Sequence, residues 1–181
     1  MELTLLRHAS PHAEYHGCYN GHTDIPIDVT LFEHDKIQPL LHRHFDRIYS
    51  SDLQRCTTTL ETMGITVFTT DPRLREVRFK PSIEGKTFTQ IEASEDFDPR
   101  VLDSKETWHH YVCDESLSIF RTRIESFLDE LEHDKNILIC AHGGTIAMIL
   151  SLLNPALEDQ AVGYLDYITV TLGYKMTKIE D

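Results

Sequence analysis

Apolar positions along this chain fall into two kinds of run. Short alternating or unbroken runs at 2–6, 47–49, 66–69, 137–141 and 167–172 predict strands. The run at 137–141 has no polar interruption, as expected of a strand covered on both faces. The last run alternates and extends on paper toward Ile179. Longer stretches whose apolar residues step by three and four predict helices. Ile37, Leu40, Leu41 and Phe45 share one face over 31–45, although Pro39 removes a hydrogen bond there. A helix over 53–63 has Ser50, Ser51 and Asp52 as candidate caps and Gly64 as its stop. Leu117, Phe120, Ile124, Phe127, Leu128 and Leu131 mark a helix over 115–132. Gly143 and Gly144 turn the chain into a helix over 145–153 that is apolar all round and therefore buried.

Two stretches break this rhythm. From Arg7-His8 to about Val29 the chain is a loop punctuated by Pro11, Gly17, Gly21 and Pro26. From 71 to 113 it has mixed charge, three prolines and only a short helical pattern over 87–93, and it reads as an insertion or lid. The 181 residues otherwise fit one domain over 1–181.

Strands alternating with helices predict an α/β fold, a three-layer αβα sandwich whose central sheet is mostly parallel, with helices on both faces. Ligand sites in such sheets lie at the carboxyl ends of the strands. That rule selects Arg7 and His8 after the first strand, Arg55 beyond the second, and His142 with Gly143 after the buried one. Two arginines and two histidines together make an anion site, because guanidinium forks match phosphate oxygens. The glycines permit close backbone approach, and a helix N-terminus adds positive potential. Neighbouring cations disfavour imidazolium, leaving a histidine there neutral and nucleophilic.

Composition narrows the class. Hydrophobic residues are 40% and charged residues 26%, which excludes wholesale disorder. The longest apolar stretch, 145–153, is too short to span a bilayer, and the N-terminal run lacks the basic region of a signal peptide. A net charge of -13 argues against a nucleic-acid or anionic-membrane surface. Cys18, Cys56, Cys113 and Cys140 form no CxxC pair and read as reduced thiols, so a cytoplasmic location is expected. The 11 histidines contain no HExxH, and no metal site is read from them.

Six segments, in order, resemble the signatures of the histidine phosphatase superfamily, which includes the cofactor-dependent phosphoglycerate mutases. Leu5-Leu6-Arg7-His8-Ala9 resembles LxRHG, and Gly21-His22-Thr23-Asp24-Ile25-Pro26-Ile27 resembles GxxDxPL. The run from Ser50 to Thr59 is similar to SSxLxRAxxT, and Leu74-Arg75-Glu76-Val77-Arg78-Phe79 to LxExxFG. Glu84-Gly85 and Ala141-His142-Gly143-Gly144 complete the set. Chain length and the tight turn at 21–26 resemble the bacterial α-ribazole phosphatase branch most, which would make α-ribazole 5′-phosphate the substrate.

The resemblance implies roles. His8 would accept the phosphoryl group. Arg7, Arg55 and His142 would bind its oxygens and stabilise the transition state. Glu76 would protonate the leaving alcohol and later deprotonate the attacking water. Asn20, Gly21 and Gly143 would contact substrate. No cofactor is implied, since arginines supply the neutralising charge, and the partner would be a small phosphorylated metabolite. The sequence does not specify an oligomer. Ala9, Glu14, Cys18 and Lys80 depart from the pattern. Ala9, Glu14 and Lys80 keep open a non-catalytic module that binds phospho-ligands. The resemblance itself leaves a phosphoglycerate mutase, against which the loss of an arginine at Cys18 counts, and a phosphohistidine-protein phosphatase as the other readings.

Overall fold

The computed structural model describes residues 1–157 and 160–172. Its sheet has five strands, β1 (Glu2–Arg7), β2 (Arg47–Ser50), β3 (Thr69–Thr70), β4 (Asn136–Ala141) and β5 (Tyr167–Thr171), in the order β3-β2-β4-β1-β5. All neighbours are parallel except β5, which runs antiparallel to β1. The helices are α1 (His34–Leu41), α2 (Gln54–Thr62), α3 (Phe88–Glu92), α4 (Lys105–Val112), α5 (Leu117–Leu128) and α6 (Gly143–Leu153).

The side-chain period of two divides β1 and β4 between two cores. Leu3, Leu5, Ile137, Ile139 and Ala141 face one way and meet Phe120, Ile124 and Phe127 of α5 and Ile146, Ile149 and Leu150 of α6. Leu6, Leu138 and Cys140 face the other way and meet Ile37 and Leu40 of α1 and Cys56 and Leu60 of α2. Each buried Leu or Ile contributes about 1.5–3 kcal/mol, so the three-layer arrangement follows from the apolar runs.

Several elements differ from the sequence expectation. α1 spans His34–Leu41 with Pro39 inside it. Proline cannot donate to the preceding turn, which leaves the helix short of the 31–45 expected. The strand expected over 66–69 is paired only at Thr69 and Thr70, and Val67 is 85% exposed. None of the three expected caps is the N-cap of α2, which is Leu53. Ser50 donates to the Ser51 carbonyl and Asp52 pairs with Arg75. The carboxylate of Asp24, far away in sequence, accepts the Gln54 N–H at 2.7 Å instead. α4 was not anticipated; Ser104 and Thr107 form its capping box, and Trp108, Tyr111 and Val112 make its apolar stripe. α5 is shorter than 115–132 at both ends because Ser116 caps it and leaves Glu115 outside. α6 begins at Gly143 with His142 as N-cap, so both glycines are helical. The extension toward Ile179 lies outside the described residues. Among those residues, no helix is long and apolar enough to cross a membrane.

Candidate active site

The carboxyl ends of β1, β2 and β4 meet at one rim of the sheet. β1 delivers Arg7 and then His8, whose N–H donates to the Ala141 carbonyl at 3.1 Å. β4 delivers His142, and the turn after β2 places Arg55 in the first turn of α2. Arg7, His8, Asn20, Arg55, Glu76 and His142 all line one cavity of about 130 Å³.

His8 is 5% exposed, and its Nδ1 lies 2.7 Å from the Ala9 carbonyl. A carbonyl only accepts, so Nδ1 carries the proton and Nε2 keeps its lone pair. Burial holds the imidazole well below its ordinary pKa, and Arg55 and Arg7 push the same way, against the Ala9 carbonyl. The ring is therefore neutral and nucleophilic at Nε2.

His142 is also buried and neutral, held down first by burial and then by Arg55, His8 and Arg7. Arg55 Nε donates to its Nδ1 at 2.9 Å, and its Nε2 lies 2.8 Å from Ser51 Oγ. Both ring nitrogens are thus engaged by protein, and in this arrangement His142 orients Arg55. The rest of that guanidinium donates to the Thr23 carbonyl at 2.9 Å and the Gly21 carbonyl at 2.6 Å. Burial lowers the pKa of Arg55, but a guanidinium remains charged.

Arg7 lies over the Tyr164 ring, 4.1 Å from its centroid, and donates from Nη1 to the Val162 carbonyl at 2.9 Å. Its Nε is buried with no partner among the described residues. An unmet buried donor costs about 1–3 kcal/mol, more when charged, and an anion's oxygen beside His8 would relieve it.

Glu76 brings a carboxylate to the same cavity. Its Oε2 accepts from Gly144 N–H and its Oε1 from Val77 N–H, each at 2.9 Å. A side chain on Gly144 would collide with Glu76, so the glycine lets the carboxylate sit on the N-terminus of α6. The Glu76 carbonyl accepts from His22 at 2.9 Å and from Arg123 at 3.0 Å. Arg123 in turn forks onto Glu115; burial pushes that carboxyl's pKa up, but Arg123, helped by the Arg78 N–H and His22, holds it below its ordinary value.

The remaining candidates take different places. Asn20 donates to the Tyr15 carbonyl, and its buried Oδ1 has no partner among the described residues. Gly21 and Gly143 do not line the cavity. Gly21 lends its carbonyl to Arg55 and packs where a Cβ would strike Glu84, Val77 and Phe79; Gly143 lies behind the Arg7 guanidinium. Among the departures, the Ala9 methyl is in the core, Glu14 is exposed and Lys80 reaches the His110 carbonyl. Only Cys18 lines the cavity. Sequence reasoning missed Tyr19, Phe79 and Tyr164, which also line it, and the Arg123–Glu115 clamp. The aromatics carried no periodic signal, and Arg123 reads as an ordinary solvated helix charge. Among the described residues, no group of three or more His, Cys, Asp or Glu is placed to hold a metal ion.

The family model described as histidine phosphatase superfamily (branch 1) matches residues 3–171. A protein of Hydrogenobacter thermophilus with the provisional name phosphoserine phosphatase 2 is 34% identical over 159 residues, 83% of this chain and 77% of that protein. The adenosylcobalamin/alpha-ribazole phosphatase of Escherichia coli K12 is 26% identical, covering 84% of this chain and 79% of the relative. The crystal structure of the alpha-ribazole phosphatase from Shigella flexneri shares the fold at a TM-score of 0.76 and 22% identity, over 96% of this chain and 91% of that one.

Proposed function

The chain belongs to branch 1 of the histidine phosphatase superfamily, and on that premise we propose that it is a metal-independent phosphomonoesterase acting through a phosphohistidine on His8. The observation that carries this reading is the state of His8. Its Nδ1–H is tied to a carbonyl, and its Nε2 lone pair stands in a cavity with two guanidinium groups.

In the first step Nε2 attacks phosphorus, and the bond from phosphorus to the ester oxygen breaks. Glu76 acts as the general acid, passing a proton to that oxygen, and the alcohol leaves. In the second step Glu76 takes a proton from water, the water oxygen attacks phosphorus, the N–P bond breaks and inorganic phosphate departs. Arg7 and Arg55 neutralise the charge carried by the transferring group. They supply what a metal ion supplies in other phosphoryl-transfer sites.

A small substrate suits the site better than a phosphoprotein, because His8 is 5% exposed in a cavity of about 130 Å³. The relatives' names speak of phosphoserine in one case and of adenosylcobalamin and alpha-ribazole in the other. A cytoplasmic location fits four cysteines that are all free thiols.

The test is phosphate release from a panel of phosphomonoesters in the presence of EDTA, with His8→Ala as control, and acid-quenched mass spectrometry of the wild type for phosphate on His8. Release that survives EDTA, vanishes in the variant and leaves a trapped phosphohistidine is expected. Loss of release in EDTA would refute metal independence. No release from any ester by folded protein would favour a mutase or a binding module.

A further inference from the structure

The residues that line the cavity are of two unlike kinds. Arg7, His8, Arg55, Glu76 and His142 are those that would take the phosphoryl group. The rest of the lining is Pro11, Cys18, Tyr19, Asn20, Ile25 and Phe79, while Tyr164 lies against Arg7 and His8.

This second set has no cation of its own. Among the described residues that line the cavity, only Arg7 and Arg55 carry a fixed positive charge. Arg55 already donates from each of its three nitrogens to His142 and two backbone carbonyls, which leaves its remaining Nη hydrogens for the phosphoryl group, and Arg7 gives one of its own to Val162. Two basic residues next to Phe79 are committed elsewhere. Arg78 is exposed and paired with Asp114 at 3.0 Å, and Lys80 donates to His110. A second anionic group on the substrate would thus lose its water and meet no partner, a costly exchange.

What this set offers is aromatic surface. Tyr19 and Phe79 meet edge to face with centroids 5.3 Å apart. Trp108 of α4 backs Tyr19 at 5.9 Å and itself contacts Phe88 and Tyr111 at 5.7 and 5.9 Å. The 71–113 segment therefore supplies one ring of the wall and the packing behind the other. Such a wall is held before any ligand arrives, which lowers the ordering cost of binding.

We infer that Tyr19 and Phe79, backed by Trp108, determine specificity: the alcohol half of the substrate is uncharged and lays an apolar or aromatic face on their rings. The inference rests on the phosphatase reading for the identity of the phosphoryl half, and it sets phosphoserine apart among the compounds that the relatives' names print. A phosphoserine-like alcohol, with a carboxylate near the ester, is the wrong class.

Two non-hydrolysable probes test it on the intact protein without turnover. Phenylphosphonate and phosphonoacetate both carry a phosphonate, joined to a ring in one and to a carboxylate in the other. Affinities are measured by calorimetry, and Trp108, the single tryptophan, reports contact with the wall by fluorescence. Phenylphosphonate should bind about 10-fold or more tightly than phosphonoacetate and should change the Trp108 emission. In Phe79→Ala the preference should fall to within about threefold of parity. Equal or tighter binding of phosphonoacetate, no binding of either probe, or a preference unchanged in Phe79→Ala would each overturn the inference. Failure of the phosphatase reading shows separately, as absence of ester hydrolysis and of phosphohistidine.

Discussion

His8 and His142 are both buried and neutral, and that couples the site to stability. Their pKa values are held well below 6.5, chiefly by burial and then by the arginines, and His22 shifts the same way by burial. As pH falls through about 6.5, the unfolded chain takes up protons on these imidazoles and the folded one does not. Stability then falls with pH, by up to about 1.4 kcal/mol per pH unit for each such histidine. Carboxylates with lowered values, such as Asp52 beside Arg75, act only below about pH 4. Thermal unfolding should show a melting temperature level from pH 8 to 7 and declining from 6.5 to 5. A level profile down to 5 would contradict neutral buried histidines. Glu76 gives a second residue-level expectation. An alkoxide leaving group needs its proton, while 4-nitrophenolate does not. Glu76→Gln should slow hydrolysis of an alkyl phosphate by about 10²–10⁴-fold. With 4-nitrophenyl phosphate the first turnover should persist as a burst, and the steady state should fall, because breakdown of the phosphohistidine still needs the base. Rapid-quench kinetics that show no burst and equal losses for both esters would remove Glu76 from the acid–base role.

At the level of elements, the site exists because three strand ends and two helix N-termini share a rim, and much of that was legible in the chain. β1 and β4 are buried on both faces and read as apolar runs, so their ends, and with them Arg7, His8 and His142, were located from pattern alone. The start of α2 was not legible in the same way. Its N-terminal donor is met by Asp24, and a cap brought from another loop leaves no mark within a local window. The three polar residues that suggested a local cap hold the β2 turn and Arg75 instead. In the 71–113 segment the short pattern over 87–93 does mark α3, whereas α4 was not legible, because it is only about two turns long and its aromatic residues pack on Phe88 of α3 and behind the cavity wall. The Asp24 bond gives a direct test. Asp24→Ala should destabilise the protein by about 0.5–2 kcal/mol, and Asp24→Asn, which keeps an accepting oxygen, by much less. Urea unfolding of the two variants measures the difference. Equal losses would mean that the carboxylate charge at the helix N-terminus matters more than the hydrogen bond.

For the whole molecule, a net charge of -13 opposes the approach of a phosphate dianion. The two arginines that attract it lie within the cavity, Arg55 almost entirely buried. These two influences have different reach. At about 0.01 M salt the Debye length is roughly 30 Å, comparable with the size of the molecule, and the full acidic surface repels the substrate. At about 0.15 M it is roughly 8 Å, and the remote acids are screened. Contacts inside a buried cavity are screened much less at either concentration. Raising ionic strength between these limits should therefore increase kcat/KM by a modest factor, about two- to fivefold, and leave kcat nearly unchanged. The salt must be a non-competing one such as sodium chloride, since sulfate would occupy the anion site. A decrease in kcat/KM would mean that the arginines already attract substrate from outside the cavity, and that their field, not the overall charge, governs encounter.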